Sequence, residues 1–104
     1  MLTFDNLEFD LGTIPFGVTK SVKVNLHNTG STPIQLQSTN ASCSCTSGIL
    51  EYSTLQPQSK GYFMINFNTG KSGKGAKQVK SIYLNYTINR QTFSQIFRIK
   101  ANVT

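Results

Sequence analysis

The two cysteines of the chain, Cys43 and Cys45, lie one residue apart in the polar segment "NASCSCTSG" (residues 40–48). Two thiols at this spacing could form a disulfide, bind a metal ion or supply a nucleophile. On an extended strand, residues i and i+2 hold their Cβ atoms farther apart than the roughly 3.5–4.5 Å that a disulfide requires. We therefore expect free cysteines that pack as small apolar side chains, with a disulfide in a tight turn as the alternative.

Metal binding and thiolate catalysis would each need further residues near the cysteines. A structural zinc site takes four ligands, and the chain offers only His27 as a good nitrogen donor. Unless two chains share a site, we expect no metal ion and no other cofactor. A catalytic thiolate needs a base within reach, and His27 is predicted on the outward face of a strand. The carboxylates form no evident acid and base pair, so we expect no enzymatic activity; they are Asp5, Glu8, Asp10 and Glu51.

A second chemically distinctive stretch is "TGKSGKGAKQVK" (residues 69–80), which combines glycines with lysines. It resembles a phosphate-binding loop only superficially, because Ile65 stands where the first glycine belongs and no helix is predicted to follow. The stretch has no aromatic residues, so we expect no specific nucleic-acid binding. It is either a solvated hairpin or a flexible arm that contacts an acidic protein surface or a polyanion. Four lysines are the candidate partner contacts: Lys71, Lys74, Lys77 and Lys80.

Length and charge limit what can position these residues. The chain has 104 residues, with ten Lys and Arg against four Asp and Glu, a net charge of +6. This length predicts one domain over residues 1–104. The charge favours binding to an acidic partner surface, to nucleic acid or to anionic lipid. The segment "MLTFDNLEFD" has no basic leader before an apolar run, so we expect synthesis in the cytoplasm without a signal peptide and no insertion into a membrane.

Alternating apolar and polar residues, interrupted by turn residues about every ten positions, predict short strands. The residues expected to face inward are Leu7, Phe9, Leu11, Val22, Val24, Leu26, Ile34, Leu36, Phe63, Ile65, Phe67, Ile82, Leu84, Tyr86, Ile88, Phe93, Phe97, Ile99, Ala101 and Val103. About seven antiparallel strands in a chain of this size predict an all-β fold, an immunoglobulin-like β-sandwich.

Several segments together resemble a large bacterial family of immunoglobulin-like domains of unknown function. They are "FDLGTIPFG" (9–17), "VNLHNTGSTPIQL" (24–36), "ASCSCT" (41–46), "LQPQSKG" (55–61) and "INFNTGKSGKG" (65–75). The resemblance implies a fold similar to Hydin-type, major sperm protein and PapD-like domains, and a binding or structural role. It also implies structural roles for Gly12, Gly17, Asn28, Gly30, Cys43, Cys45, Thr46 and Pro57. Two residues differ from the family pattern: Ser44 and Gln58 stand where glycines are usual.

These features predict a non-enzymatic module that binds another protein through a sheet face or an edge strand. We expect an accessory or decoration protein of a tailed-phage capsid, present in many copies on the virion and bound to the major capsid protein. This expectation rests on association, because a fold alone does not determine function. The alternative is a bacterial scaffold or cell-envelope domain whose signal peptide is missing from this sequence.

Overall fold

The alternating segments fold as strands in the computed structural model, which describes residues 2–42, 44–71 and 77–104, with only the backbone of Lys71. Cys43, Lys74 and the Lys71 side chain, all named above, lie outside the described residues. Among the residues described, the strands are β1 (Leu2–Phe4), β2 (Glu8–Ile14), β3 (Thr19–Asn28), β4 (Ile34–Ala41), β5 (Thr46–Leu50), β6 (Thr54–Leu55), β7 (Lys60–Asn68), β8 (Lys77–Ile88) and β9 (Gln91–Val103). One turn of 3₁₀ helix spans Thr69–Lys71.

The strands form two sheets that pack face to face. Sheet A has the order β1-β3-β7-β5, and sheet B has the order β2-β9-β8-β4-β6. This confirms the predicted all-β sandwich. The expected seven strands become nine because the structure adds two very short ones, β1 and β6.

One strand pair differs from the predicted antiparallel arrangement. β2 runs parallel to β9, whereas the other recorded pairs are antiparallel. The reason is that the chain leaves β1 in sheet A, crosses at residues 5–7 to sheet B, and enters beside β9 in the same direction. The register of this pair shifts between Asp10 and Thr13, where Gly12 has a φ of +70°. Glycine adopts this left-handed conformation without a steric penalty, so it suits the bulge.

The core lies between the two sheets and contains most of the predicted inward residues. Those that are buried are Val24, Leu26, Ile34, Leu36, Phe63, Ile65, Phe67, Ile82, Leu84, Phe97, Ile99, Ala101 and Val103. Two predictions were wrong: the side chains of Leu7 and Phe93 are 44% and 41% exposed. Leu7 lies in the crossover between the sheets, and Phe93 lies near the end of the β8–β9 hairpin.

Among the described residues, no helix is long and apolar enough to cross a membrane.

Candidate functional site

The edges of the two sheets differ in how they are protected against pairing with another chain. In sheet A, β1 is only three residues long, and the Thr39 hydroxyl from the opposite sheet reaches the Gly48 carbonyl of β5 at 3.4 Å. In sheet B, β6 has two residues, while β2 carries Glu8 and Asp10 and is interrupted by the bulge at Gly12. Short length, charge, bulges and coverage are the usual devices that block edge pairing. These four strands are therefore poor templates for another strand.

The first half of β9 lacks a neighbour on one side. β2 pairs with β9 only from Arg98 onward, where Glu8 lies opposite Arg98 and the Arg98 N–H donates to the Leu7 carbonyl at 2.9 Å. The residues that precede the crossover between the sheets, Leu2–Phe4, belong to sheet A. In the part of the chain that the structure describes, β8 is the only strand that pairs with residues 91–97. We call residues 91–97 the free β9 edge.

The direction of the backbone groups along this edge follows from the register. The β8–β9 pairing is unbroken from Lys77 opposite Asn102 to Ile88 opposite Gln91. Backbone groups alternate sides along an antiparallel strand, and the Arg98 N–H points to β2, away from β8. The even-numbered residues of the edge therefore direct their N–H and C=O groups outward: Thr92, Ser94 and Ile96. The Gln95 side chain donates to one of these groups, the Ile96 carbonyl, at 3.0 Å.

The free β9 edge also lacks the usual sequence devices against pairing. Its sequence, "QTFSQIF", contains no charged residue and no proline. The surrounding chain carries a net charge of +6. An uncharged, proline-free strand with an open side is a template for main-chain hydrogen bonding with an added strand.

An apolar cleft opens beside this edge, between the ends of the two sheets. It has a volume of about 370 Å³ and is lined by Leu2 of β1 and by Tyr86, Ile88 and Phe93 of the β8–β9 hairpin. We call it the end cleft. The rings of Tyr86 and Phe93 stack with their centroids 5.6 Å apart, and Phe4 meets Tyr86 edge-on at 6.5 Å. Burial raises the pKa of Tyr86, since desolvation disfavours the phenolate.

The hairpin turn fixes the cleft wall. Asn89 and Arg90 both have positive φ, 51° and 69°. Two such residues form the type I′ turn that matches the twist of a two-residue hairpin, and asparagine tolerates this conformation well. The turn sets Ile88 opposite Gln91, and the Arg90 side chain is exposed at its tip.

The structure separates the lysines that the sequence suggested as partner contacts. Lys77 and Lys80 lie in β8, where both pair with β9, and so they are not part of a flexible arm. They are three residues apart in a strand, so their side chains point to opposite faces of the sheet. Lys77 is exposed and Lys80 is half-buried. A role for these lysines in partner binding stays a prediction.

The expectation of free cysteines was wrong. Cys45 is disulfide-bonded, and the only other cysteine in the sequence is Cys43. The geometric objection assumed an extended strand, whereas Ser44 and Cys45 lie in a turn between β4 and β5. The sulfur of Cys45 is buried and lies 3.5 Å from the hydroxyl of Thr46. Because a disulfide sulfur carries no hydrogen, the hydroxyl must be the donor.

The residues of the Asn-x-Gly motif build the turn after β3. The Asn28 side chain is fully buried and donates to the carbonyls of Thr32 and Leu55 at 2.9 and 3.1 Å. Its oxygen accepts the Gly30 N–H at 3.0 Å. Asn28 therefore joins the turn to β6, which is a structural role.

The turn after Pro57 places a residue other than glycine in a left-handed conformation. Gln58 has a φ of 60°, a conformation that favours glycine. Its side-chain amide donates to the carbonyls of Thr29 and Gly30, both at 2.9 Å. These two hydrogen bonds offset the backbone strain and connect this turn to the Asn28 turn.

The remaining motif glycine, Gly17, shapes the turn between β2 and β3. It has a φ of +88°, which only glycine adopts readily. Next to it, the buried Thr69 hydroxyl accepts the Val18 N–H and contacts the carbonyl oxygens of Val18 and Pro15, all at 2.9 Å. These contacts hold the end of β7 against the turn.

Within residues 2–42, 44–71 and 77–104, no group of three or more His, Cys, Asp or Glu side chains could hold a metal ion.

The free β9 edge was not predicted from the sequence, although part of its signal was visible. The uncharged segment between Arg90 and Arg98 stands out in a basic chain. What the sequence could not show is that β2 reaches only as far as Arg98, since this depends on where the chain crosses between the sheets.

A protein-family profile described as "Protein of unknown function (DUF1573)" matches residues 2–103. No curated protein matches the chain.

Several solved structures share the fold at low sequence identity. The VesB protease of Vibrio cholerae superposes with a TM-score of 0.77 at 14% identity, over 97% of this chain and 31% of that one. A PapD-like domain of human CEP192 superposes with a TM-score of 0.72 at 11% identity, over 99% of this chain and 84% of that one. The CupB2 chaperone of Pseudomonas aeruginosa superposes with a TM-score of 0.70 at 11% identity, over 99% of this chain and 55% of that one. The chain thus spans about a third of VesB and about half of CupB2. These likenesses confirm the immunoglobulin-like, PapD-like fold.

Proposed function

This chain belongs to the DUF1573 family, and on that premise we propose that it is a non-enzymatic module that binds another protein by pairing with an extended segment of that protein. The segment adds a strand to sheet B along the free β9 edge. One of its apolar side chains enters the end cleft. The module contributes a preformed edge and pocket.

A single observation carries this proposal: in the described part of the chain, residues 91–97 of β9 pair on one side only, with β8, and they contain no charged residue and no proline. Thr92, Ser94 and Ile96 direct backbone groups outward with no strand alongside in the described part of the chain. Backbone pairing supplies affinity, and the pocket for alternate side chains supplies specificity. The end cleft meets that second requirement, since an apolar cavity of about 150 Å³ already holds a benzene ring.

The comparisons support this choice of function class. Several structures of similar fold are described as chaperones, among them the periplasmic chaperone SfaE and the DraB chaperone of E. coli. Each is 10% identical in sequence to this chain, so the likeness shows a shared fold and nothing more. The likeness to the VesB protease covers 31% of that chain and gives no reason to assign proteolysis here.

Selection of random peptides displayed on a surface tests the proposal without knowledge of the partner. Wild-type protein and the Ser94→Pro variant are used as bait in parallel. We expect peptides that bind the wild type and lose binding to Ser94→Pro, because proline removes the central outward N–H and its ring obstructs a neighbouring strand. Ser94→Ala is the matched control and should retain binding. Peptides that bind all three proteins equally would contradict the proposal.

The particular setting expected from the sequence stays a prediction. We propose that the partner is the major capsid protein of a tailed phage, that the module is an accessory protein in many copies on the virion, and that it contacts an acidic surface. The alternative is a scaffold or cell-envelope domain of a bacterium. Co-purification with phage particles in an amount similar to the major capsid protein would support the first setting. Recovery with envelope fractions alone would favour the second.

A further inference from the structure

The free β9 edge is uncharged but is bracketed by two arginines. Arg90 lies in the hairpin turn before it, and Arg98 follows it. Both side chains are exposed. Of the described side chains, only Glu8 and Lys100 form an ion pair, at 3.6 Å, although Glu8 lies opposite Arg98 in the strand register. The two ends of the edge therefore present positive charge to whatever pairs with it.

This charge pattern disfavours a second copy of the chain as the occupant. In a two-fold antiparallel pairing centred on Ser94, the hairpin turn of each chain, with the exposed Arg90, would approach the exposed Arg98 of the other chain. Like charges directly opposite one another destabilise a strand pair. Each chain also carries a net charge of +6, which adds long-range repulsion.

We infer that the occupant is a segment of a different protein in which two acidic residues flank alternating apolar residues. This inference rests on the proposed function. In an added strand, side chains alternate between the two faces of the sheet. A residue opposite Phe93 faces the end cleft, and a residue opposite Gln95 lies on the same face of the sheet, so apolar side chains suit both positions. Residues opposite Thr92 and Ile96 face outward.

The outward positions are the ones that reach the arginines. A residue opposite Ile96 is diagonal to Arg98, and a residue opposite Thr92 lies near the hairpin turn, which carries the exposed Arg90. Diagonal neighbours across a strand pair are about 7–8 Å apart, within reach of long side chains. Acidic side chains at these two positions complement the bracketing charges, and they give the five-residue pattern acidic, apolar, any, apolar, acidic.

Charge reversal at one arginine tests the inference. Random displayed peptides are selected in parallel on the wild type, Arg98→Glu and Ser94→Pro, and the enriched sequences are compared. We expect the wild type to enrich Asp or Glu beside alternating apolar residues. Arg98→Glu should replace the acidic residue at one end of the pattern with Lys or Arg. For a single peptide with acidic flanks, we expect Arg98→Glu to weaken binding on the order of threefold to tenfold, as exposed ion pairs are weak.

Three results would contradict either the acidic partner or the proposed function, and the experiment tells them apart. Apolar peptides without acidic flanks, bound equally by wild type and Arg98→Glu but not by Ser94→Pro, would refute the acidic partner and leave the proposed function standing. Peptides insensitive to Ser94→Pro would refute the proposed function itself. A concentration-dependent dimer in sedimentation, abolished by Ser94→Pro, would show that a second copy occupies the edge. Arg98→Lys is the control and should keep the acidic preference.

Discussion

Two proline substitutions at adjacent positions should differ greatly in how much they destabilise the fold, because neighbouring residues of β9 direct their N–H groups to opposite sides. The Ser94 N–H points to the open side, so Ser94→Pro breaks no backbone hydrogen bond of the sheet. It removes the hydrogen bond that the Ser94 hydroxyl donates to the Asn85 side chain at 2.6 Å, and the control Ser94→Ala removes the same bond. Proline is tolerated on edge strands when its nitrogen faces solvent. Proline also restricts the unfolded chain, which offsets part of its conformational strain. We expect Ser94→Pro to change the free energy of unfolding by less than about 1 kcal/mol.

The neighbouring substitution, Gln95→Pro, should be severe. Gln95 lies opposite the fully buried Leu84 and donates its N–H to β8. Losing this bond costs about 1 kcal/mol net, and leaving the Leu84 carbonyl buried without a donor adds about 1–3 kcal/mol. The total of about 2–4 kcal/mol corresponds to a decrease in Tm of roughly 10–20 °C for a domain of this size.

Thermal and urea unfolding of both variants measures this difference directly. Ser94→Ala and Gln95→Ala are the matched controls, which remove the side chains and keep both N–H groups. Gln95→Ala also accounts for the loss of the side-chain bond to the Ile96 carbonyl. If Ser94→Pro unfolds as easily as Gln95→Pro, then the Ser94 N–H belongs to the sheet and the edge is not free.

Further predictions concern the core, the cleft and the two linked turns. Phe97→Ala should lower the free energy of unfolding by about 3–5 kcal/mol because Phe97 is fully buried, measured by urea unfolding. Phe93→Ala should cost about 1 kcal/mol or less, since this ring is 41% exposed, yet weaken binding of selected peptides; an equal loss of stability in both variants would contradict this. Asn28→Ala should cost about 2–4 kcal/mol through three lost hydrogen bonds, and a cost near zero would show that the turn forms without them. Gln58→Ala should cost about 1–2 kcal/mol because the strain stays and two hydrogen bonds are lost, whereas Gln58→Gly should be nearly neutral in the same assay.

Much of the fold could be predicted from the sequence because period-2 alternation is a local signal. The strand around Phe63, Ile65 and Phe67 is one example, and all three side chains are buried. The parallel placement of β2 could not be predicted, because it depends on a crossover of three residues between sheets. The same alternation assigned Phe93 to the core, although the opposite sheet does not cover that end of the hairpin.

The candidate site was less accessible to sequence reasoning than the fold. Charge drew attention to the lysines, but Lys77 and Lys80 point to opposite faces of β8. The disulfide of Cys45 was missed because the segment was treated as a strand and not as a turn. An open edge is defined by the absence of a neighbouring strand, and that absence has no local sequence pattern.

Amide hydrogen exchange on the complex with the tightest-binding selected peptide tests the central claim most directly. In the free protein, the amides of Thr92, Ser94 and Ile96 should exchange fast, while those of Phe93 and Gln95 should be protected by β8. Peptide binding should slow exchange at the three even-numbered amides by at least about tenfold, the change expected for about 1.4 kcal/mol of added protection. If these three amides stay fast while protection arises elsewhere on the molecule, the partner does not pair with the free β9 edge.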